Sequence, residues 1–298
     1  MRKTKRFTPD LFDRYEKIGR GIGVFEHYIP FHRVGRSDPS SRGRSHLERW
    51  HGRAHELLSD GELVTFLFAT MLPNIVDVRE QFPLQFQYSH HELLDYDVYG
   101  SDGLFEGTEK ISKNLKIKHP KVNGNGRSSP WPMTTDLLLT LKSDYGQLYL
   151  LAVSCKPKNF VLKDRSKQLF EIERTYWEMR GIDWLLITPE SYDYSVGLTL
   201  RNAAPWSLGE AVEKSLLAKA SEQILQQNGT PLSLILHGLS LALNNMDLAQ
   251  RVFWQCVMSG LLTIDLRRGW RPHIPVEIIS KSAFSNFNPI LASRTQWI

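Results

Sequence analysis

The sequence predicts an α/β protein in two parts, a mixed sheet with flanking helices followed by a mainly helical region. Three observations lead there. Met133–Leu141 and Leu148–Cys155 are apolar runs of strand length on either side of Lys142–Gln147, where Asp144 and Gly146 supply turn chemistry. Asp164–Arg180 then has helical periodicity, with Leu169, Ile172, Tyr176 and Trp177 on one side. Gly181 closes it, and a further buried run follows at Ile182–Thr188. Beyond about residue 200 the pattern turns to helix-length segments, and 298 residues are enough for two cores.

The elements can be justified in order. Residues 1–44 are crowded with Arg and Lys, and Gly35–Arg44 adds Gly, Ser and Pro, so the stretch is expected to be a flexible basic arm. Ser45–Met71 is expected to be helical, as two helices meeting near Ser59. Ile75–Phe86 alternates like a strand. The Gly- and Lys-rich stretch between Tyr99 and Pro132 is expected to be a long functional loop. The strand–strand–helix–strand core follows, so that a domain over 45–195 is expected. In 196–298, helices are expected at Leu208–Gln227, Pro231–Asn245 and Asp247–Leu261, with Asp247 as a cap. Short strands at Leu262–Leu266 and Pro275–Ile279 around Arg267–Arg271 complete the order of a winged-helix domain.

Composition excludes several classes. No apolar run reaches the ~18–20 residues of a bilayer span, and Met1–Phe7 lacks the apolar core of a secretory signal. Only Cys155 and Cys256 occur, which rules out a disulfide framework or a four-Cys zinc site and fits a reducing cytoplasm. The net charge of +5 favours an anionic partner. No GxxxxGK phosphate loop is present, so the chain is no ATPase. His51 and His55, four apart in an arginine-rich stretch, are expected to be surface histidines.

Four charged residues stand where a rigid scaffold could hold chemistry. Asp136 is embedded in Met-Thr-Thr-Asp-Leu-Leu-Leu, and an unpaired carboxylate buried in such a strand is costly unless it serves a cation. Lys156 ends the next strand, where an ammonium can orient water and offset charge on a pentacovalent transition state. Glu173 falls on the apolar stripe of the following helix, whereas Glu171 and Glu178 lie nearer its polar side. Ser59-Asp-Gly-Glu62 fits a capping box, which does not prevent Glu62 from facing a site. Hydrolysing a phosphodiester requires hard divalent cations held by such oxygens.

In order, Glu62, Asp136, Lys156 and Glu173 resemble the PD-(D/E)-x-K nuclease series on a restriction-endonuclease-like fold. Residues 45–190 more closely resemble the TnsA family of transposon endonucleases. The stretches that carry this are Gly61–Phe68, Val78–Leu84, Met133–Leu139, Ala152–Lys156, and Phe170–Trp177 with Gly181–Pro189. The resemblance implies Glu62 and Asp136 as metal carboxylates, Lys156 as the catalytic lysine and Glu173 as a helix-borne acid. Ser154 stands where the superfamily usually has an acid, so the Cys155 carbonyl would join the metal ligands. The resemblance further implies Mg²⁺ (or Mn²⁺) and 5′-strand cleavage of double-stranded DNA at transposon ends, with a DDE-type transposase subunit and an AAA+ ATPase regulator as partners. Arg42, Arg44, Lys116, Lys118, Lys121, Arg127, Arg267 and Arg268 are candidate DNA contacts. A stand-alone nuclease of defence or repair and a non-catalytic DNA-binding adaptor are the alternative readings.

Overall fold

A computed structural model describes residues 6–36, 38–40, 43–97 and 103–295. By its contacts the chain divides into two units. The first comprises 1–62 and 74–186, and the second comprises 63–73 and 187–296 with Ile298. The first unit holds α1 (Pro9–Lys17), β1 (His46–Trp50), β2 (Arg53–Leu57), β3 (Ile75–Pro83), α3 (Thr108–Asn114), β4 (Lys121–Gly124), β5 (Arg127–Pro130), β6 (Thr134–Lys142), β7 (Leu148–Cys155), α4 (Lys158–Val161), α5 (Asp164–Glu178) and β8 (Asp183–Ile187). Between β2 and β3 runs α2 (Asp60–Thr70).

Four strands form the main sheet, in the order β3-β6-β7-β8. β6 is antiparallel to β3 (Val78 opposite Leu139, Phe82 opposite Thr135) and to β7 (Leu137 opposite Val153, Thr140 opposite Leu150). The β6–β7 turn forms where the sequence placed it, with Ser143 N–H on Gln147 O at 2.8 Å and Gly146 at φ +83°. α5 lays Phe170, Ile172, Tyr176 and Trp177 on a core that includes Phe82, Leu138, Leu150, Ala152 and Leu186. It ends where predicted. Gly181 takes φ +67°, a conformation open to glycine, and Ile182 N–H reaches back to Trp177 O. The mixed α/β class therefore stands.

Several expectations about the first unit do not. The described part of 1–44 is folded, because α1 carries Phe12 and Tyr15 into a second cluster with Phe31 and Val122. Its cations are partly internal: Arg20 pairs with Asp38 and Arg33 with Glu56. The first half of Ser45–Met71 is the β1–β2 hairpin rather than a helix, turning at His51 (φ +45°) and Gly52 (φ +86°). The inward positions of β2 were hidden by the polarity of Arg53 and His55, and His55 is buried against Glu80 rather than at the surface. From residue 103 onward, the stretch up to Pro132 contains α3 and the antiparallel β4–β5 pair.

The second unit contains α6 (Tyr194–Ser207), α7 (Lys214–Leu225), α8 (Leu232–Leu243), α9 (Met246–Met258) and α10 (Lys281–Ser285). α6, α7 and α8 each pack on α9, which buries Ala249, Val252, Phe253, Trp254, Cys256 and Val257. The helix expected at Leu208–Gln227 begins only at Lys214. α6 was not foreseen, because Pro205 lies inside it and reads as a breaker. Asn245, not Asp247, caps α9, accepting Leu248 N–H at 3.0 Å. Strand pairing in 262–279 is short. It comprises one bridge between Ile264 and Ile278, flanked by Asp265 N–H to Glu277 O and Ile279 N–H to Thr263 O. Pro275, which has no N–H, sits at a separate bridge with Pro231. Among the described residues no helix is long and apolar enough to cross a membrane.

The tie between β2 and β3 is ionic. Arg53 grips Glu80 through both guanidinium nitrogens at 2.7 and 2.6 Å, while His55 Nδ1 (3.1 Å) and Glu56 N–H (2.9 Å) complete the shell. Burial raises the Glu80 carboxyl, but these donors outweigh it and hold it down to about 2. Glu80→Leu should therefore cost on the order of 3–5 kcal/mol of unfolding free energy in urea titration, since it strands Arg53. The contribution of Glu80 is complete above its unfolded pKa near 4.3 and is lost as pH falls through that value towards 2. The urea midpoint of the native protein should accordingly fall across that window, and that of Glu80→Leu should fall less.

Candidate active site

Gln81 sets the geometry. It sits in β3 opposite Asp136 of β6, between the paired positions Glu80–Leu137 and Phe82–Thr135. Its φ is +50°, the left-handed region that costs a non-glycine residue of order 1–3 kcal/mol. The turn breaks the strand's alternation. Arg79 lies over the Phe82 ring at 4.6 Å, although residues three apart on a regular strand face opposite ways. On β6, Thr135 takes the Trp177 indole N–H at 2.8 Å, and Leu138 belongs to the same core as Trp177. Gln81 and Asp136 are thereby freed from the α5 face.

Three of the four predicted charges meet there. Gln81 Nε2 lies 3.2 Å from Glu62 Oε2 and 3.4 Å from Asp136 Oδ1, so one amide group faces two carboxylates. Lys156 Nζ contacts both Asp136 oxygens, at 2.7 and 2.5 Å, and Cys155 donates its backbone N–H to Asp136 Oδ2 at 2.7 Å. Asp136 is 3% exposed and Glu62 7%, whereas the Lys156 side chain keeps 24% of its surface open. Glu62 also performs its helix role. Its N–H donates to Ser59 Oγ at 3.2 Å, and its carboxylate accepts from Leu58 N–H and Ser59 Oγ. Cap and site share one side chain.

Glu173 is buried on α5 but turned elsewhere. Its Oε1 accepts from Ser154 Oγ at 2.5 Å, Thr135 Oγ1 at 2.8 Å and Trp184 Nε1 at 3.2 Å. Ser154, at the position where an acid was to be expected, thus holds a carboxylate delivered by a helix. Burial raises the Glu173 carboxyl, against the charge of Lys156 and the Ser154 hydroxyl, which lower it.

Burial, then repulsion from Asp136, raises Glu62 to about 7, against the Leu58 N–H and Lys156, which favour its ionised form. Burial alone would lower Lys156, but Asp136 and then Glu173 more than offset it and hold the ammonium above its ordinary range. Three carboxylates and one ammonium leave a formal excess of two negative charges. Burial favours the protonated forms of Glu62 and Glu173, and a divalent cation would also offset this excess. Among the described residues no three His, Cys, Asp or Glu side chains gather to enclose a metal. An open pair of carboxylates suits a hard divalent cation that keeps several waters.

Of the predicted DNA contacts, Arg42 lies outside the described residues. Arg44, Lys116, Lys118 and Lys121 are exposed. Arg127 is paired with Asp10 and Asp13 of α1 at 2.9 Å. Arg267 pairs with Asp265 at 2.8 Å and Arg268 with Glu277 at 2.9 Å, surface pairs of the kind that exchange partners cheaply. Sequence reasoning missed Gln81. Its signal was the run Arg79-Glu-Gln81, three polar residues in succession within a strand, all at most 4% exposed.

A family model described as "TnsA-like endonuclease N terminal" matches residues 72–189, a span that includes Asp136, Lys156 and Glu173. A curated protein of Escherichia coli, "Transposon Tn7 transposition protein TnsA", is 33% identical over 220 residues, covering 72% of this chain and 69% of its own length.

Replacing Gln81 by Leu should weaken Mn²⁺ binding about 10–100-fold in calorimetric titration while the fold persists, as expected when a partner that orients the ligands is lost. Unchanged affinity would mean that the amide does not organise the two carboxylates.

Proposed function

Because the chain belongs to the TnsA family of transposon endonucleases, we propose that its first unit hydrolyses DNA phosphodiesters at transposon ends, cutting the 5′ strands as one subunit of a heteromeric transposase. The observation that carries this reading is the convergence of Glu62 and Asp136 on one amide, with the Lys156 ammonium seated on Asp136. Glu62, Asp136 and the Cys155 carbonyl are the residues to hold Mg²⁺ or Mn²⁺, which when bound polarises phosphate oxygens and acidifies water. Lys156 orients the attacking water and offsets charge accumulating on the phosphate. Glu173, fixed by Ser154 and Thr135, adds negative charge behind the lysine and supports a second ion. The strained Gln81 keeps the two carboxylates together before any cation arrives.

DNA is held outside this centre. Arg42, Arg44, Lys116, Lys118 and Lys121 supply backbone contacts for the first unit, with Arg127 joining once it leaves the α1 acids. In the second unit, α7–α9 and the short ribbon that carries Arg267 and Arg268 act as a winged-helix-like module for DNA or a partner. A DDE-type transposase subunit joins the 3′ ends, and an AAA+ ATPase controls the assembly.

The test is strand-specific. With the transposase subunit, the ATPase, end-bearing DNA and Mg²⁺, the native chain should release the 5′ strands. Asp136→Ala and Lys156→Ala should reduce that release by at least about 10³-fold, about 4 kcal/mol of barrier, while 3′-strand cleavage continues. Variants that cut like the native chain would assign the chemistry elsewhere. The raised Glu62 carboxyl adds a pH signature. A cation must displace its proton, so below about pH 7 Mn²⁺ affinity should fall by up to tenfold per pH unit and level off above it. Glu62→Gln should flatten that dependence, and a native profile already flat from pH 6 to 8 would contradict it.

A further inference from the structure

His32 is a buried titratable group near this centre that the chemistry above does not use. It lies in the segment Tyr28–Val34, which is fastened to β3 on one side and to Glu56 of β2 on the other. Phe31 N–H donates to Gln81 O at 3.3 Å, and Tyr28 OH to Glu80 O at 3.0 Å. Immediately after His32, Arg33 Nε and Val34 N–H both bind Glu56, at 2.6 Å each. Gln81 and Leu58, two residues beyond Glu56, are also the groups that hold the Glu62 carboxylate. His32 is thus bracketed by residues anchored to both flanks of Glu62.

Its own contacts are unusual. The imidazole is 5% exposed and walled by Phe7, Tyr15 and Phe31, at ring distances of 5.5, 6.4 and 5.1 Å. Nδ1 is buried without a hydrogen-bond partner, 4.0 Å from Asp38 Oδ1. Asp38 is itself rigidly placed by Arg20, Tyr15 OH and the backbone N–H groups of Arg33 and Ser40. Burial lowers the His32 pKa to about 4 against the opposing pull of Asp38, and the charges of Asp136 and Lys156 also act on the ring. The ring is therefore neutral at neutral pH. Lys156, whose ammonium is held above its ordinary range by Asp136 and Glu173, stays charged and accepts no proton.

We propose that His32, backed by Asp38, is a further catalytic residue of the nuclease centre and takes the proton of the attacking water through Nε2. Nδ1–H closes on Asp38, which fixes the tautomer and leaves the Nε2 lone pair directed at the water. The water oxygen forms the new P–O bond and the P–O3′ bond breaks. The water proton passes to Nε2, the departing 3′ oxygen takes a proton from solvent, and His32 returns its own to solvent. The inference rests on the endonuclease reading of Glu62, Asp136 and Lys156.

The experiment uses the full chain with its transposase subunit, ATPase and end-bearing DNA. His32→Phe keeps an aromatic ring among Phe7, Tyr15 and Phe31 and should slow 5′-strand cleavage about 10²–10⁴-fold, the range for a lost general base. Mn²⁺ affinity, read by electron paramagnetic resonance, and DNA affinity should stay within threefold of native. His32→Ala should regain activity when imidazole is added, and substituted imidazoles of higher pKa should restore more. Cleavage by His32→Phe within threefold of native, with Asp136→Ala inactive, would overturn the inference and leave the endonuclease reading intact. So would a slow His32→Phe that also loses cation or DNA affinity, or a folded His32→Ala that imidazole does not rescue, since both indicate packing alone. Should Asp136→Ala cut like the native chain, the endonuclease reading fails, and the role of His32 falls with it.

Discussion

The first unit is organised by the cost of burying carboxylates. Asp38, Glu56, Glu62, Glu80, Glu92, Asp136 and Glu173 are all at most 7% exposed, and an isolated charge so placed would shed its ionisation or unfold its surroundings. Most are answered by a fitted cation or donor. Glu80 has Arg53 and His55, Asp38 has Arg20, Glu56 has Arg33, and Glu92 has Arg180 at 3.0 Å together with Tyr176 OH at 2.6 Å. Around Glu62, Asp136 and Glu173 the account does not balance, because a single ammonium faces three acids. The imbalance is local, bounded by well-compensated neighbours, and it separates the candidate site from the rest of the buried polar network.

The same constraint explains which parts of the fold were legible. β6, β7, α5 and β8 are apolar where buried, so period and turn chemistry identified them, together with Asp136 and Lys156 as charges that interrupt the pattern. The β1–β2 hairpin was read as helix because its inward residues include Arg53 and His55, whose burial depends on Glu80 from a strand more than twenty residues away. No local pattern carries that information. The N-terminal region misled for a related reason. Its arginines suggest a solvated arm, but Arg20 and Arg33 are neutralised by acids that only the fold brings near.

Legibility at the site itself was uneven. Glu62 could be named, and its capping role coexists with its place beside Asp136, as the capping box allowed. Glu173 was correctly set on the inward face of α5, but its partner is Ser154, not Lys156. Gln81 escaped because its importance lies in a backbone angle. A left-handed residue in mid-strand leaves no mark on hydrophobic period, and it interrupts the alternation of the strand. His32 escaped because what distinguishes it is a missing partner.

The topology of the first unit also bears on how the protein is made. Its candidate centre draws on α2, β3, β6, β7 and α5, and the segment that carries His32 precedes all of them. On the ribosome the early stretch must wait, loosely held, until more than a hundred further residues emerge to form the sheet it lies on. Closing loops of that length is slow. A chain interrupted before α5 would display Glu62 and Asp136 without Glu173 and the wall behind it. The candidate centre is therefore completed late in synthesis, only once α5 has emerged.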